Sequence, residues 1–368
     1  QDSDLDMFLL NHSTHPNSNY GKGKYRTNIH ENYYQLFSAH NSVISNGASA
    51  SKGGWINLGI NRVQSVAMEP AAGDAGVSAK HSFSTSSFVD EFNLVAPAGH
   101  ERTLALIKLS DTKGYYLDVF RAKSDTEEQF HDYVYHNIGD GVDITSNDNK
   151  VVMKNDAKRY QGSGQIPWKK HKTYQHPGWH FFEDVKTYGA SQQQFEATFT
   201  ASKLGDKDIS MRALIPAGLE LEVTKVKAPK AYGAAKPYDK KPLPTFVLRH
   251  QGEAWSNPYA VVYESLTEGE NYAVQSVQRI MLDGIFKGVK VTVNVDGQKL
   301  TQIILIQENI NDIYQDKISG IYFQGQFAIV TLDEHKQVKD LYLGSGQRLQ
   351  YKTKTLLPSV GKSGYVSF

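Results

Sequence analysis

The chain has 368 residues, 39% hydrophobic and 21% charged, with a net charge of +1. That is ordinary globular composition, long enough for one large domain or two medium ones. The near-neutral balance lacks the clustered basic surface of a nucleic-acid binder, and no apolar stretch approaches the ~20 residues of a membrane helix. There is no cysteine, which excludes disulfides, cysteine nucleophiles and thiolate metal sites, and fits a secreted or periplasmic bacterial protein.

In chain order, a polar, aromatic stretch from Tyr25 to Gly47 (YRTNIHENYYQLFSAHNSVISNG) leads into a strand at Ser42–Ser45. Strands follow at Thr103–Leu109 and Tyr115–Phe120, β-branched and aromatic runs split by the Lys113-Gly114 turn signal. Further strands are expected at Phe195–Thr200, Leu219–Val226, Thr245–Arg249 and Ala260–Tyr263. Val289–Val295 (VKVTVNV) alternates, meets Asp296-Gly297 and resumes at Thr301–Ile306. Asp-Gly between two such runs marks a hairpin, because both turn residues take positive φ cheaply. Ile321–Leu332 and Val338–Leu343 continue the pattern, and helices are few. The Lys/Pro/Ala-rich stretch Lys225–Pro244 reads as a long exposed connection, and a Gly/Glu-rich break falls near Thr267–Asn271. The expectation is an all-β protein: a large antiparallel β-sandwich over residues 1–268, then a smaller C-terminal antiparallel β domain over 269–368.

Thirteen histidines invite metal hypotheses. His12 and His15 have chelating spacing but sit in a polar Asn/Ser/Pro-rich stretch. His171 to His180 lie among Trp168, Tyr174, Trp179, Phe181 and Phe182, either a sugar-stacking surface or an aromatic loop packed on the sandwich edge. His40, at a strand entrance, is chemically suited to zinc or a similar divalent ion, although a lone histidine is more often structural.

The string Ala39-His40-Asn41-Ser42-Val43, followed by Asn46-Gly47, resembles the AHN(T/S)V…(D/N)G segment of heparinase II/III-like polysaccharide lyases. Asp118-Val119-Phe120-Arg121-Ala122, with His131-Asp132-Tyr133 and His136, resembles that family's D-x-F-R…H-D-Y-x-x-H segment. Thr245–Gly252 (TFVLRHQG) and Val261-Val262-Tyr263-Glu264 resemble its closing sandwich strands. These matches fall in the right order between residues 20 and 265, and the long loops resemble alginate-lyase-like members most.

The resemblance implies an N-terminal α/α toroid, a central β-sandwich and a C-terminal β domain, acting on uronate-containing polysaccharides by β-elimination. A base removes the C5 proton beside the carboxylate and an acid protonates the leaving oxygen. The toroid, which would carry the catalytic Tyr and His, is missing from this sequence, so no catalytic residue is expected in the chain. Its partners would be that toroid portion and an acidic polysaccharide, alginate first. The resemblance assigns His40 as a metal ligand, shared with ligands not pinned here (Asp2, Asp4 or Asp6 at the family's spacing), and Arg26 and Tyr34 as substrate contacts. His131 and His136 would hold the sandwich beside the cleft. The alternative is a stand-alone carbohydrate-binding or scaffolding β-sandwich without catalysis.

Overall fold

A computed structural model describes residues 29, 33–34, 36–48, 63–91, 93–147, 149–160 and 178–368. They form three antiparallel sheets with only short helical turns, such as Phe37–Ala39, Trp179–Phe181 and Tyr238–Lys240. The first sheet has six strands in the order β1 (Ser42–Ser45), β6 (Phe130–His136), β14 (Leu243–Gln251), β13 (Leu221–Ala228), β10 (Glu183–Ser191) and β9 (Lys154–Asn155). The second has nine: β2 (Gln64–Glu69), β3 (His81–Asp90), β4 (Ala98–Lys108), β5 (Gly114–Ser124), β15 (Ala254–Thr267), β12 (Ile209–Ile215), β11 (Phe195–Ala201), β7 (Gly141–Ser146) and β8 (Asn149–Lys150). The third has eight, built around β16 (Val274–Leu282), β17 (Ile285–Val295), β18 (Gln298–Ile306), β20 (Ile321–Asp333) and β21 (Val338–Tyr351), with β22 (Lys354–Leu356) continuing the row. Two short strands complete it, β19 (Ile313–Asp316) on β20 and β23 (Gly364–Ser367) on β21.

The sheets stack with the nine-stranded one in the middle, and alternation along its central strands shows why. Successive side chains of a strand point to opposite faces. In β15, Tyr259, Val261 and Tyr263 enter the core shared with the six-stranded sheet, while Ala260 and Val262 enter the core shared with the eight-stranded sheet. In β5, Phe120 and Ala122 face the first core and Tyr115, Leu117 and Val119 the second. A strand buried on both faces must be apolar at nearly every position. Strands buried on one face show the simple period instead, as in β12 (ISMRALI), where every second residue is buried.

The stretch read as a long exposed connection is shorter and better anchored than expected. Lys225–Ala228 belong to β13 and Leu243–Pro244 to β14, and between them Ala231 and Tyr238 are buried. The tyrosine hydroxyl donates to Asp140 Oδ2 at 3.0 Å, so a Lys/Pro-rich composition conceals an aromatic anchor. The first two sheets end at Thr267 and the third begins at Val274.

Candidate functional site

The five motif segments become neighbours. His131, Asp132 and Tyr133 of β6 pair with Ser45, Ile44 and Val43 of β1 on one side, and with His250, Arg249 and Leu248 of β14 on the other. In the middle sheet, Asp118 and Leu117 of β5 pair with Val261 and Val262 of β15.

Their polar side chains close on each other inside the sandwich. Asp132, fully buried, receives Arg249 Nε and Nη2, both at 2.9 Å, and the guanidinium lies 4.1 Å over the Phe130 ring. Asp118 receives Arg102 through both carboxylate oxygens and also accepts from the Tyr133 hydroxyl at 2.7 Å. Tyr133 meets the Tyr263 hydroxyl at 2.6 Å, and Arg102 Nη1 donates to the Asn41 carbonyl at 2.9 Å. This network ties the outer sheet to the middle one. A paired, hydrogen-bonded charge is the form in which an aspartate tolerates full burial.

The histidines are equally committed. His136 Nε2 donates to the Ser38 carbonyl at 2.9 Å, and its Nδ1 meets Thr245 Oγ1 at 2.7 Å. Burial holds His136 at about 4, below its usual pKa, although the Ser38 bond works against that. Ser45 Oγ lies between His131 Nδ1 at 2.8 Å and His100 Nε2 at 3.1 Å. Both rings are pushed down to about 3, chiefly by burial. Partners fix the tautomers. Gln129 Oε1 accepts from Ser124 N at 2.8 Å, so it must also accept from His131 Nε2 at 3.1 Å. His131 Nδ1 is then the acceptor for the Ser45 hydroxyl, and Ser45 Oγ accepts from His100 Nε2. His100 Nδ1 is left a lone-pair acceptor, buried and without a donor among the described residues.

His100 also borders a groove of about 600 Å³ at one end of the middle sheet. Phe88, Gly99, Glu101, Lys123 and Trp255 line it with His100. The His100 ring stacks on Phe88 at 4.6 Å, and Phe88 meets Phe37 edge-on at 6.0 Å. Trp255 Nε1 donates to Glu308 Oε2 at 2.8 Å, and the Trp255 carbonyl accepts from Arg121.

Comparison with known proteins now has a structure to attach to. Residues 274–368 match the model of the endo-acting ulvan lyase C-terminal domain. Beyond that segment, the chain is 32% identical over 348 residues, 93% of its length, to an endo-acting ulvan lyase of Formosa agariphila. The chain spans 41% of that relative's length. It is thus related to a polysaccharide lyase along nearly its whole course, in keeping with the heparinase II/III-like resemblance of its motifs. Among solved structures, heparan sulfate lyase HepC from Pedobacter heparinus is 11% identical at a TM-score of 0.32, covering 74% of this chain and 31% of that one. Heparinase III is 10% identical at 0.31, covering 73% and 30%.

Of the site residues singled out by sequence, the structure describes Tyr34 and His40. Tyr34 is buried, its hydroxyl donating to the Lys230 carbonyl at 2.8 Å and its ring packed edge-on against Tyr33. His40 is half-buried, its backbone N–H closing the turn onto Phe37 at 3.0 Å. Among the described residues no group of three His, Cys, Asp or Glu gathers that could hold a metal ion. The described residues around His40 thus do not make a zinc site by themselves. Arg26, Asp2, Asp4, Asp6, His12, His15 and most of the His171–His180 segment lie outside the described residues. The end of that segment is packed, with Trp179 buried and stacked on Tyr160 at 5.3 Å. Sequence reasoning missed the groove residues. Lys123 and Trp255 each sit beside a motif, and only the pairing of β5 with β15 brings them together.

Proposed function

We propose that this chain is the β-rich portion of an endo-acting ulvan lyase, cleaving a uronate-containing polysaccharide by β-elimination with catalytic groups supplied from outside these residues. The observation that carries this reading is the 32% identity to an endo-acting ulvan lyase over 93% of the chain. The same observation moves the substrate from alginate, the first choice on sequence, to ulvan. The internal geometry fits a supporting role. An eliminase needs a base and an acid that change protonation within reach of the substrate. His131 and His136 are enclosed and held neutral, and Asp118 and Asp132 are locked to arginines. What they supply is a rigid platform, as a precise site requires.

The test is the unsaturated-uronate absorbance that β-elimination produces. The whole enzyme, with the region preceding this chain, is expected to generate it from ulvan and not from alginate or a heparinoid. The 368-residue chain alone is expected to generate none. Product from alginate would overturn the substrate assignment, and product from the chain alone would overturn the division of labour.

A further inference from the structure

The groove bordered by Trp255 has the composition of a carbohydrate subsite. Trp255 is held at three points: its indole Nε1 by Glu308 at 2.8 Å, its backbone carbonyl by Arg121, and its backbone N–H by Glu253. A pre-positioned aromatic ring loses little entropy when a sugar ring stacks on it. Lys123 places its ammonium 4.3 Å from the centre of that indole. No carboxylate among the described residues lies within ion-pairing distance of it, whereas the neighbouring Arg121 is already engaged by Glu101 and Glu308. The strand floor is open because position 99 is glycine. A Cβ there would lie 3.8 Å from both Trp255 Cζ3 and Lys123 Cγ, so a larger side chain would occupy the groove. His100 forms part of the same wall, with its Nδ1 buried.

We propose that this groove binds one anionic sugar of an acidic polysaccharide, with Trp255 against the pyranose, Lys123 on its carboxylate or sulfate ester, and Glu101 accepting from hydroxyls. The assignment deepens the polysaccharide-lyase reading and rests on it for the polymer to use. The groove gives the β portion a hold on the polymer. Binding energy at such a subsite lets a polymer-acting enzyme retain its substrate between events.

The experiment is calorimetric or affinity-electrophoresis titration of the 368-residue chain with ulvan oligosaccharides, in native, carboxyl-reduced and desulfated forms. Native oligosaccharide is expected to bind, and Trp255→Ala to weaken it by roughly tenfold. Lys123→Gln is expected to lower affinity for the native form and to abolish the difference between it and whichever preparation lacks the recognised anion. Reduction and desulfation identify that anion. Gly99→Leu fills the groove while keeping every named contact residue, and should also abolish binding; unfolding midpoints confirm that each variant is folded. Absence of wild-type binding overturns the proposal. So does wild-type affinity in folded Trp255→Ala and Gly99→Leu, or equal affinity for the native form and both modified forms. The lyase reading fails separately. If the whole enzyme yields no unsaturated product while groove variants lose binding, the subsite stands and catalysis falls. If product forms and no variant changes binding, the subsite falls alone.

Discussion

At the scale of single residues, the buried histidines set how the chain responds to acid. His100 and His131 are held at about 3 and His136 at about 4, against an unfolded value near 6.5. The unfolded chain therefore takes up protons at a pH where the folded chain refuses them. Their contribution is complete above about 6.5 and is lost as pH falls from there towards the folded values. From pH 7 to pH 5 the loss is up to about 2 kcal/mol per histidine, a large share of the roughly 5–15 kcal/mol that domains usually possess. Urea unfolding should show a clearly lower midpoint at pH 5 than at pH 7; equal midpoints would show that these rings titrate normally. The same burial explains what was legible about the site. The resemblance gives His131 and His136 a structural role, and their hydrogen bonds, like those of Asp132, are internal. Most of these partners lie far away in sequence, as Arg249 does from Asp132, although Gln129 is two residues from His131. Tyr34, which the resemblance offers as a substrate contact, is committed to a carbonyl. Trp255 and Lys123 left no signal, since a single aromatic and a lysine are common and only the fold makes them adjacent.

At the scale of elements, turns and bulges decide which glycines are indispensable. Asp296 and Gly297 have φ of 53° and 89°, the positive pair that the Asp-Gly signal predicts between β17 and β18. Gly297 has open space around it, whereas a Cβ at Gly288, where φ is +143°, would fall 1.9 Å from the Ile304 carbonyl oxygen. Gly297→Ala should cost about 1–2 kcal/mol, the strain of a positive φ. Gly288→Ala adds a backbone collision and should cost about 3 kcal/mol or more. Denaturant melts of the two variants check the ranking, and equal losses would contradict it. The Gly297 turn was readable because its signal is local. The requirement at Gly288 was not, because it comes from the neighbouring strand at a register shift between β16 and β17. Strand β3 was missed for a related reason. Its sequence HSFSTSSFVD alternates serine with Phe83 and Thr85, and only the inward residues are deeply buried. Serine on a sheet face that the six-stranded sheet does not cover gives little hydrophobic period. β6 was missed as a strand in the opposite way, its polar residues being buried by partners that no local window contains.

At the scale of the whole molecule, the break in sequence near residue 270 is not a break in the core. The third sheet, which carries the matched C-terminal family segment, packs on the middle sheet through Phe83, Ile107, Tyr115, Leu117, Val119 and Val262 from one side and Val289, Val291, Ile304, Phe327 and Tyr342 from the other. Phe83 stacks on Phe327 at 4.3 Å, and Gly344 leaves the room for it, since a Cβ there would lie 2.7 Å from the Phe83 ring. Polar contacts reinforce the seam: Tyr115 donates to Gln302 at 2.7 Å, Tyr342 to Glu69 at 2.5 Å, and Ala273 N to Glu264 at 2.6 Å. Each large apolar side chain in the seam is worth roughly 1.5–3 kcal/mol of burial, so losing the set outweighs the ~5–15 kcal/mol of a typical domain. The family segment can thus be a unit of sequence without being a unit of folding. Two measurements test this. The whole chain should unfold in one calorimetric transition whose enthalpy agrees with the van't Hoff value. Residues 1–268 expressed alone should aggregate or bind a hydrophobic dye, because the middle sheet would present its entire second face to water. A soluble, dye-silent fragment 1–268, or two resolved transitions in the whole chain, would mean that the sheets on either side of residue 270 fold independently and that the shared core contributes little.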